Sequence, residues 1–209
     1  MARVSDAKER LMDAVIELIW TGSYGSTSVD LICERAGVKK GSFYHFFESK
    51  TALALAGIEA GWEAHRAELD RTFSPVNPPL DRLRQCMKNM VAEQEKMKKK
   101  HGHVLGCPVH SLGAEISTFD ESLRLKLQEI LSQFIRYFES AIRDAHSQKL
   151  IHAPDASGMA RIVFAYSEGL LGQARIWNDL RRLDELESGV FAILGPPPKS
   201  KRPDTQLLT

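Results

Sequence analysis

Apolar positions recur at the spacing of one helix face in segment after segment of this chain, and stretches bearing Gly, Pro or Ser separate the segments. Leu11, Ala14, Val15, Leu18 and Ile19 predict a first helix over Ser5 to Thr21, broken by Gly22-Ser23-Tyr24-Gly25-Ser26. Thr27-Ser28-Val29-Asp30 reads as a capping box, a hydroxyl accepting from an amide three residues on and a carboxylate reaching back. A second helix therefore starts near Ser28, buries Val29, Ile32, Cys33 and Ala36, and stops at the permissive backbone of Gly37. Lys40 to Tyr44 form a short third helix. Ser49 caps a fourth that runs to about Arg71, with Leu53, Ala56, Ala60, Ala64 and Ala67 on one stripe. Gly57 and Gly61 inside it each cost about 1 kcal/mol against Ala and mark the close approach of another helix. Pro75, Pro78 and Pro79 end it. A fifth helix spans Leu80 to Lys100 on Leu83, Met87, Met90, Val91 and Met97, and a short sixth follows Cys107. The seventh spans Asp120 to Ser147 on Leu123, Leu127, Ile130, Leu131, Phe134, Phe138 and Ala141; an eighth begins after Asp155 and a ninth covers Arg181 to Leu194. The pattern predicts an all-α chain of about nine helices.

Composition narrows the function more than the fold. The chain has 209 residues, 43% of them hydrophobic, enough to bury a sizeable core, and a net charge of +1. That balance excludes a generally basic nucleic-acid binder. In residues 1–50, Arg3, Lys8, Arg10, Arg35, Lys39, Lys40 and Lys50 oppose Asp6, Glu9, Asp13, Glu17, Asp30, Glu34 and Glu48, so any positive charge is local, gathered at Lys39, Lys40 and Lys50. The cluster Lys96, Lys98, Lys99 and Lys100 suits the C-terminal dipole of the fifth helix. No apolar run approaches the roughly 20 residues of a membrane span, and no signal peptide is present; a cytoplasmic protein with reduced cysteines is expected. Residues 195–209, GPPPKSKRPDTQLLT, are too polar and Pro-rich for a core and read as a disordered tail. No Gly-rich phosphate loop, HExxH or nucleophile elbow supports an enzyme, and no cofactor is expected. An all-helical enzyme or cofactor protein, or an interaction module without DNA binding, remain the competing classes.

Gly37-Val38-Lys39-Lys40-Gly41-Ser42-Phe43-Tyr44-His45-Phe46-Phe47-Glu48-Ser49-Lys50 packs a tight turn, an aromatic-rich short helix and a cationic helix start into one segment. This has the character of a DNA-reading helix-turn-helix. Such a helix enters the major groove with its early residues on the bases, so Lys39, Lys40, Ser42 and Tyr44 are expected to face the groove and Gly41 to let backbone approach. Thr27 and Ser28, and the helix start at Lys50, are placed to hold phosphates. Phe43, Phe46 and Phe47 are expected in the core. From Met12 to Leu53 the chain resembles the N-terminal domain of TetR-family transcriptional regulators. The resemblance implies a three-helix DNA-binding domain over residues 1–48 and a helical ligand-binding and dimerisation domain over 49–194. It also implies contacts to backbone or bases from Tyr44, His45 and Lys50.

Gly169-Leu170-Leu171-Gly172-Gln173-Ala174-Arg175-Ile176-Trp177-Asn178-Asp179 is similar to the penultimate helix through which members of that family pair. Met159, Ile162, Val163, Tyr166 and Leu170 lie one way on it and Ala160, Phe164, Leu171 and Ala174 another, so the helix is buried on more than one face. Ala160 and Leu171 are expected on the outer, dimer-forming face. A homodimer then requires a palindromic double-stranded DNA operator, its half-sites about 34 Å apart or a multiple of it. A small-molecule inducer pocket is expected among helices four to eight, with Trp62, Met87, Met90, Phe134, Phe138, Tyr166 and Trp177 as candidate lining. Pro108 places Cys107 at a helix N-cap, where amides and dipole favour a thiolate, with His101, His103 and His110 near enough to help. The alternative reading of Cys107 is a small buried hydrophobe. A zinc site from His101, His103, Cys107 and His110 lacks the usual paired spacing. The stretch from Gly106 to Glu115 resembles an electrophile- and acrylate-responsive subgroup of the family, in some of whose members this cysteine is a reactive sensor. Cys107 and His110 are thus candidate inducer contacts. The chain reads as a ligand- or electrophile-responsive repressor.

Overall fold

The computed structural model describes residues 2–196, with side chains from Asp6 onward. The disordered tail expected over residues 195–209 lies outside the described residues apart from Gly195 and Pro196. Among the described residues there are nine α-helices and no strand: α1 (Ala2–Thr21), α2 (Val29–Ala36), α3 (Lys40–Phe46), α4 (Lys50–Thr72), α5 (Pro79–His101), α6 (Pro108–Ile116), α7 (Glu121–Ser147), α8 (Ala156–Trp177) and α9 (Leu186–Leu194). The ninth expected helix is split, with a 3₁₀ turn over Leu180–Leu183 preceding a shorter α9. No helix among the described residues is long and apolar enough to cross a membrane.

Helix starts follow the capping chemistry of their residues. The side chains of Ser28, Ser49, Asp120 and Asp155 accept from the amides of Leu31, Ala52, Leu123 and Gly158, satisfying donors that have no partner within the helix. Asp30 does not reach back to close a capping box; it pairs with Lys40 of α3 at 2.7 Å. Gly37 ends α2 in the left-handed region at φ +61°, where a side chain is strained, and its amide bonds the Cys33 and Glu34 carbonyls.

Helices α1 to α3 form a small head around Leu11, Val15, Ile32 and Phe43, all fully buried. Helices α7 and α8 pack along one another, with α5 against α7 and α9 against α8. The larger core of Leu83, Met87, Ile130, Phe138, Ile142 and Val163 sits between them. Helix α4 bridges the two regions, and its inward face differs from the expected one. Ala60, Ala64 and Ala67 are exposed, while Leu53, Ala54, Gly57, Ile58, Trp62 and Leu69 are buried. Large apolar groups decide which face of a helix turns inward, and alanines are at home on a helix surface.

The two glycines of α4 have different roles. A Cβ on Gly57 would stand 2.9 Å from Ile16 and 3.1 Å from the Met12 carbonyl, so only glycine lets α1 lie this close. Around Gly61 nothing lies within 4 Å, which corrects the expectation of a helix contact there.

Three further ties fasten the head to the body. The Trp20 indole donates to the Leu105 and Gly106 carbonyls, both at 3.1 Å. The Glu115 carboxylate of α6 accepts from the Tyr24 and Gly25 amides at 2.9 and 2.8 Å. The Thr51 hydroxyl bonds the Tyr24 hydroxyl at 2.9 Å and Asp120 at 3.3 Å.

Candidate functional site

The first candidate surface is the outer face of α3. Phe43 is fully buried and Phe47 nearly so, and they anchor the helix from within, leaving Lys39, Lys40, Gly41, Tyr44 and His45 exposed and Ser42 half-buried. The Tyr44 ring stands edge-on to Phe43 with centroids 5.1 Å apart, which fixes the ring and carries its hydroxyl outward. Gly41 has nothing within 4 Å, so its backbone is open to close approach. Ser28, exposed at the start of α2, accepts from the Leu31 amide and keeps its hydroxyl proton for another acceptor.

Two of the residues expected to hold phosphate are otherwise engaged. Thr27 is buried, and its hydroxyl donates to the Ser23 carbonyl at 2.7 Å. The Lys50 ammonium donates to the Tyr24 and Thr27 carbonyls at 2.8 and 2.9 Å and sits 3.9 Å from the Tyr24 ring centroid. Burial holds the pKa of Lys50 below that of an ordinary lysine. It therefore straps the turn before α2 to α4, and a phosphate contact would cost it those bonds.

The second candidate is a cavity of about 360 Å³ between α1, α4, α5, the start of α6, α7 and α8. Trp62, Met90, Cys107 and Phe134 of the expected lining are on its wall, joined by Trp20, Gly61, His65 and Glu168, which were not expected there. Exposed Gly61 and His65 mark where it opens to solvent. The absence of a side chain at Gly61 is part of what makes the space.

Five expected lining residues lie elsewhere. Phe138 and Met87 are buried in the core beside the cavity. Tyr166 donates to the Glu185 carbonyl and is wedged against Gly189. Trp177 is 64% exposed at the end of α8, beneath the Arg182 guanidinium. His110 is exposed, 4.0 Å from Glu168.

Cys107 does cap α6, its sulfur accepting from the His110 amide at 3.4 Å. The backbone before it is fastened from three helices. Gln94 of α5 accepts from the Leu105 and Gly106 amides, Arg175 of α8 donates to the Leu105 carbonyl at 2.7 Å, and Trp20 of α1 donates to the Leu105 and Gly106 carbonyls. Gly106 is left-handed at φ +66°, and a Cβ there would press on the Leu171 carbonyl at 3.3 Å.

The expected thiolate is not favoured by these surroundings. Burial, followed by the Glu168 carboxyl, pushes the Cys107 thiol well above its usual range, and the amides of His110 and Val109 only partly oppose this. Burial pushes Cys86 up to about 12 and also raises Cys33. Cys107 is still the one of the three cysteines that is only partly buried. His101 turns to Glu17 rather than joining His103, Cys107 and His110, and among the described residues no group of three His, Cys, Asp or Glu is placed to hold a metal.

Glu168 is the charged group that sequence reasoning overlooked. It is 5% exposed, its Oε2 has no hydrogen-bond partner, and burial pushes its carboxyl up to about 7, with the Cys107 thiol pulling the other way. A lone Glu inside a helix that is apolar on several faces was the available signal.

Residues 11–56 match the family described as "Bacterial regulatory proteins, tetR family", and residues 79–190 match the "Tetracyclin repressor-like, C-terminal domain". The transcriptional regulator AcuR of Cereibacter sphaeroides is 32% identical over 174 residues, covering 81% of this chain and 77% of the relative. The transcriptional repressor NemR of Escherichia coli is 24% identical, covering 92% and 96%. Among solved structures, a regulatory protein TetR from Rhodobacter sphaeroides superposes with a TM-score of 0.78 at 29% identity, covering 88% of this chain and 96% of that one. The reduced form of Escherichia coli NemR gives 0.76 at 23% identity, covering 92% and 98%, a likeness of fold. With both regions matched and a relative of that identity, this chain belongs to the TetR family of bacterial regulatory proteins.

Proposed function

We propose that this regulator is a homodimeric repressor that grips a palindromic operator through α3 and lets go when a small molecule fills the cavity beside Cys107. One observation carries the reading: a short helix, held rigid by buried Phe43, presents Lys39, Gly41, Tyr44 and His45 to solvent directly after a glycine turn. The first 48 residues are the DNA-binding unit and residues 49–194 the ligand-binding and dimerising unit. Release requires an inducer that binds better to a head spacing the operator does not fit. Helix α4 and the backbone before α6 both run from the cavity to the head, and they are the natural levers. Relatives named as transcriptional repressors support the sign of regulation.

The test is operator binding, measured by fluorescence anisotropy on the DNA upstream of the chain's own gene across a salt series. Replacing Tyr44 with Ala removes an exposed contact and leaves the core intact, so affinity should fall about ten-fold or more. If the lost contact is to phosphate, the salt slope should shrink by roughly one. Wild-type affinity in Tyr44→Ala would remove α3 from the reading role.

The dimer surface needs relocating from the residues first expected. Ala160 and Leu171 face inward, at 0% and 4% exposure, whereas Ile162, Ala165, Gly169 and Ile176 form an exposed apolar stripe on α8. Ala192 is exposed on α9. Apolar surface of this kind marks an interface. Sedimentation of Ile176→Glu should give single chains at concentrations where the wild type gives pairs; an undisturbed dimer would move the interface off α8.

A further inference from the structure

The chemistry of the cavity points to the charge of its ligand. Glu168 brings a carboxyl into the interior with Oε2 unpartnered, and no Lys or Arg is among the residues that line the space. Two further carboxylates line it from other helices, Glu68 on α4 and Glu93 on α5. Each of these has its own partner, Glu68 accepting from Asn89 at 3.0 Å and Glu93 from Lys96 at 3.4 Å. Of the three, only Glu168 has a carboxyl oxygen buried without a hydrogen-bond partner. Cys107 lies against it, and His110 faces it from the solvent side with Nδ1 4.0 Å from Oε2.

A buried carboxylate without a partner costs several kcal/mol, and a protein relieves that cost with a proton or a cation. The lining also offers aromatic surface. Trp62 and Phe134 pack with centroids 4.9 Å apart, and Trp20 lines the same cavity. Aromatic faces attract cations electrostatically, most strongly where water is excluded. An anion would meet three carboxyl groups and no Lys or Arg, and burial holds the one imidazole of the lining, His65, toward its neutral form. A neutral ligand supplies Glu168 at most a hydrogen bond and no counter-charge.

We propose that this cavity takes an organic cation, an ammonium or amidinium carried on an aromatic body, with its N–H groups on Glu168 and its body against Trp62 and Phe134. The proposal rests on the reading of this cavity as the inducer site and adds the class of ligand.

Three probes with the same indole body separate the possibilities: tryptamine (cationic), tryptophol (neutral) and indole-3-propionate (anionic). Calorimetric titration of the full chain at pH 8 should show tryptamine binding at least ten-fold tighter than tryptophol, with indole-3-propionate weakest. In Glu168→Gln the tryptamine affinity should fall ten-fold or more while that of tryptophol holds. Equal affinities for tryptamine and tryptophol in the wild type overturn the proposal, and so does unchanged tryptamine binding in Glu168→Gln. The wild-type comparison decides by itself if the variant fails to fold. Operator binding by the ligand-free protein is measured separately, so a wrong ligand class and a wrong regulator reading give different results.

Discussion

Replacing Arg82 with Ala is expected to remove about 3 kcal/mol of stability, on the order of 6–12 °C in Tm for a chain of this size. Arg82 is 3% exposed, and its guanidinium makes three bonds that hold different parts of the chain. Nη1 donates to Asp144 of α7 at 2.6 Å, Nε to the Asn77 carbonyl at 2.8 Å and Nη2 to the Pro75 carbonyl at 3.0 Å. One planar group thus closes the turn between α4 and α5 and pins it to α7. Truncation leaves two carbonyls and a carboxylate unmet and opens a cavity as well. The figure stands at the low end for a broken buried pair because Asp144 is 39% exposed and water recovers part of its loss. Arg82→Lys should recover only a fraction, since an ammonium cannot reproduce the planar fork. Urea denaturation at fixed protein concentration measures the difference; a loss below about 0.5 kcal/mol, the scale of an ordinary surface substitution, would show that the turn does not depend on this strap.

The second large effect is in pH. Burial raises the Glu168 carboxyl from its usual 4.5 to about 7, so the folded chain holds this proton more tightly than the unfolded chain. The stability tied to that proton is fully present below about pH 4.5 and is lost as the pH rises through about 7. At about 1.4 kcal/mol for each pKa unit, the wild type should lose about 3 kcal/mol across that window relative to Glu168→Gln, which has no proton to release. Asp179, held down at about 2 by Arg181, contributes the opposite trend only at lower pH, and it is common to both proteins. Cys107 stays a thiol throughout, since its own shift is upward. Denaturation midpoints at pH 5 and pH 8 for the pair of proteins decide the matter. Parallel profiles would mean that Glu168 reaches water or a partner in the folded state.

Much of the fold was legible because its signals are local. The Ser28 and Ser49 caps, the stop at Gly37, the proline break after α4 and the cap at Cys107 depend on residues within a few positions of one another. The face of α4 was not legible, because alanine spacing competes with the heavier burial of Ile58 and Trp62. The outer face of α8 was misread for a related reason. A helix apolar on several sides gives periodicity nothing to choose between, and only its neighbours show that Leu171 turns in and Ile176 out. The state of Cys107 depended on distance in sequence. Its helix amides argue for a thiolate, and the opposing groups are the cavity wall and Glu168, which come from other helices. Lys50 reads as a phosphate ligand until the carbonyls of Tyr24 and Thr27 are seen to occupy it.

The two glycines of α4 set a limit on how this regulator can diversify. Gly57 is the seam on which α1 bears, and Gly61, about one helical turn or ~6 Å further along, is part of the cavity's opening to solvent. A side chain added at Gly61 has free space about its Cβ and narrows the opening without moving α4, whereas one added at Gly57 would displace α1. The shape of the cavity mouth and the seating of α1 therefore vary separately, one helical turn apart on the same helix. Phe134, on α7, borders the same cavity from outside that helix. Variation there, as at Gly61, reshapes the cavity while leaving the seam between Gly57 and α1 untouched.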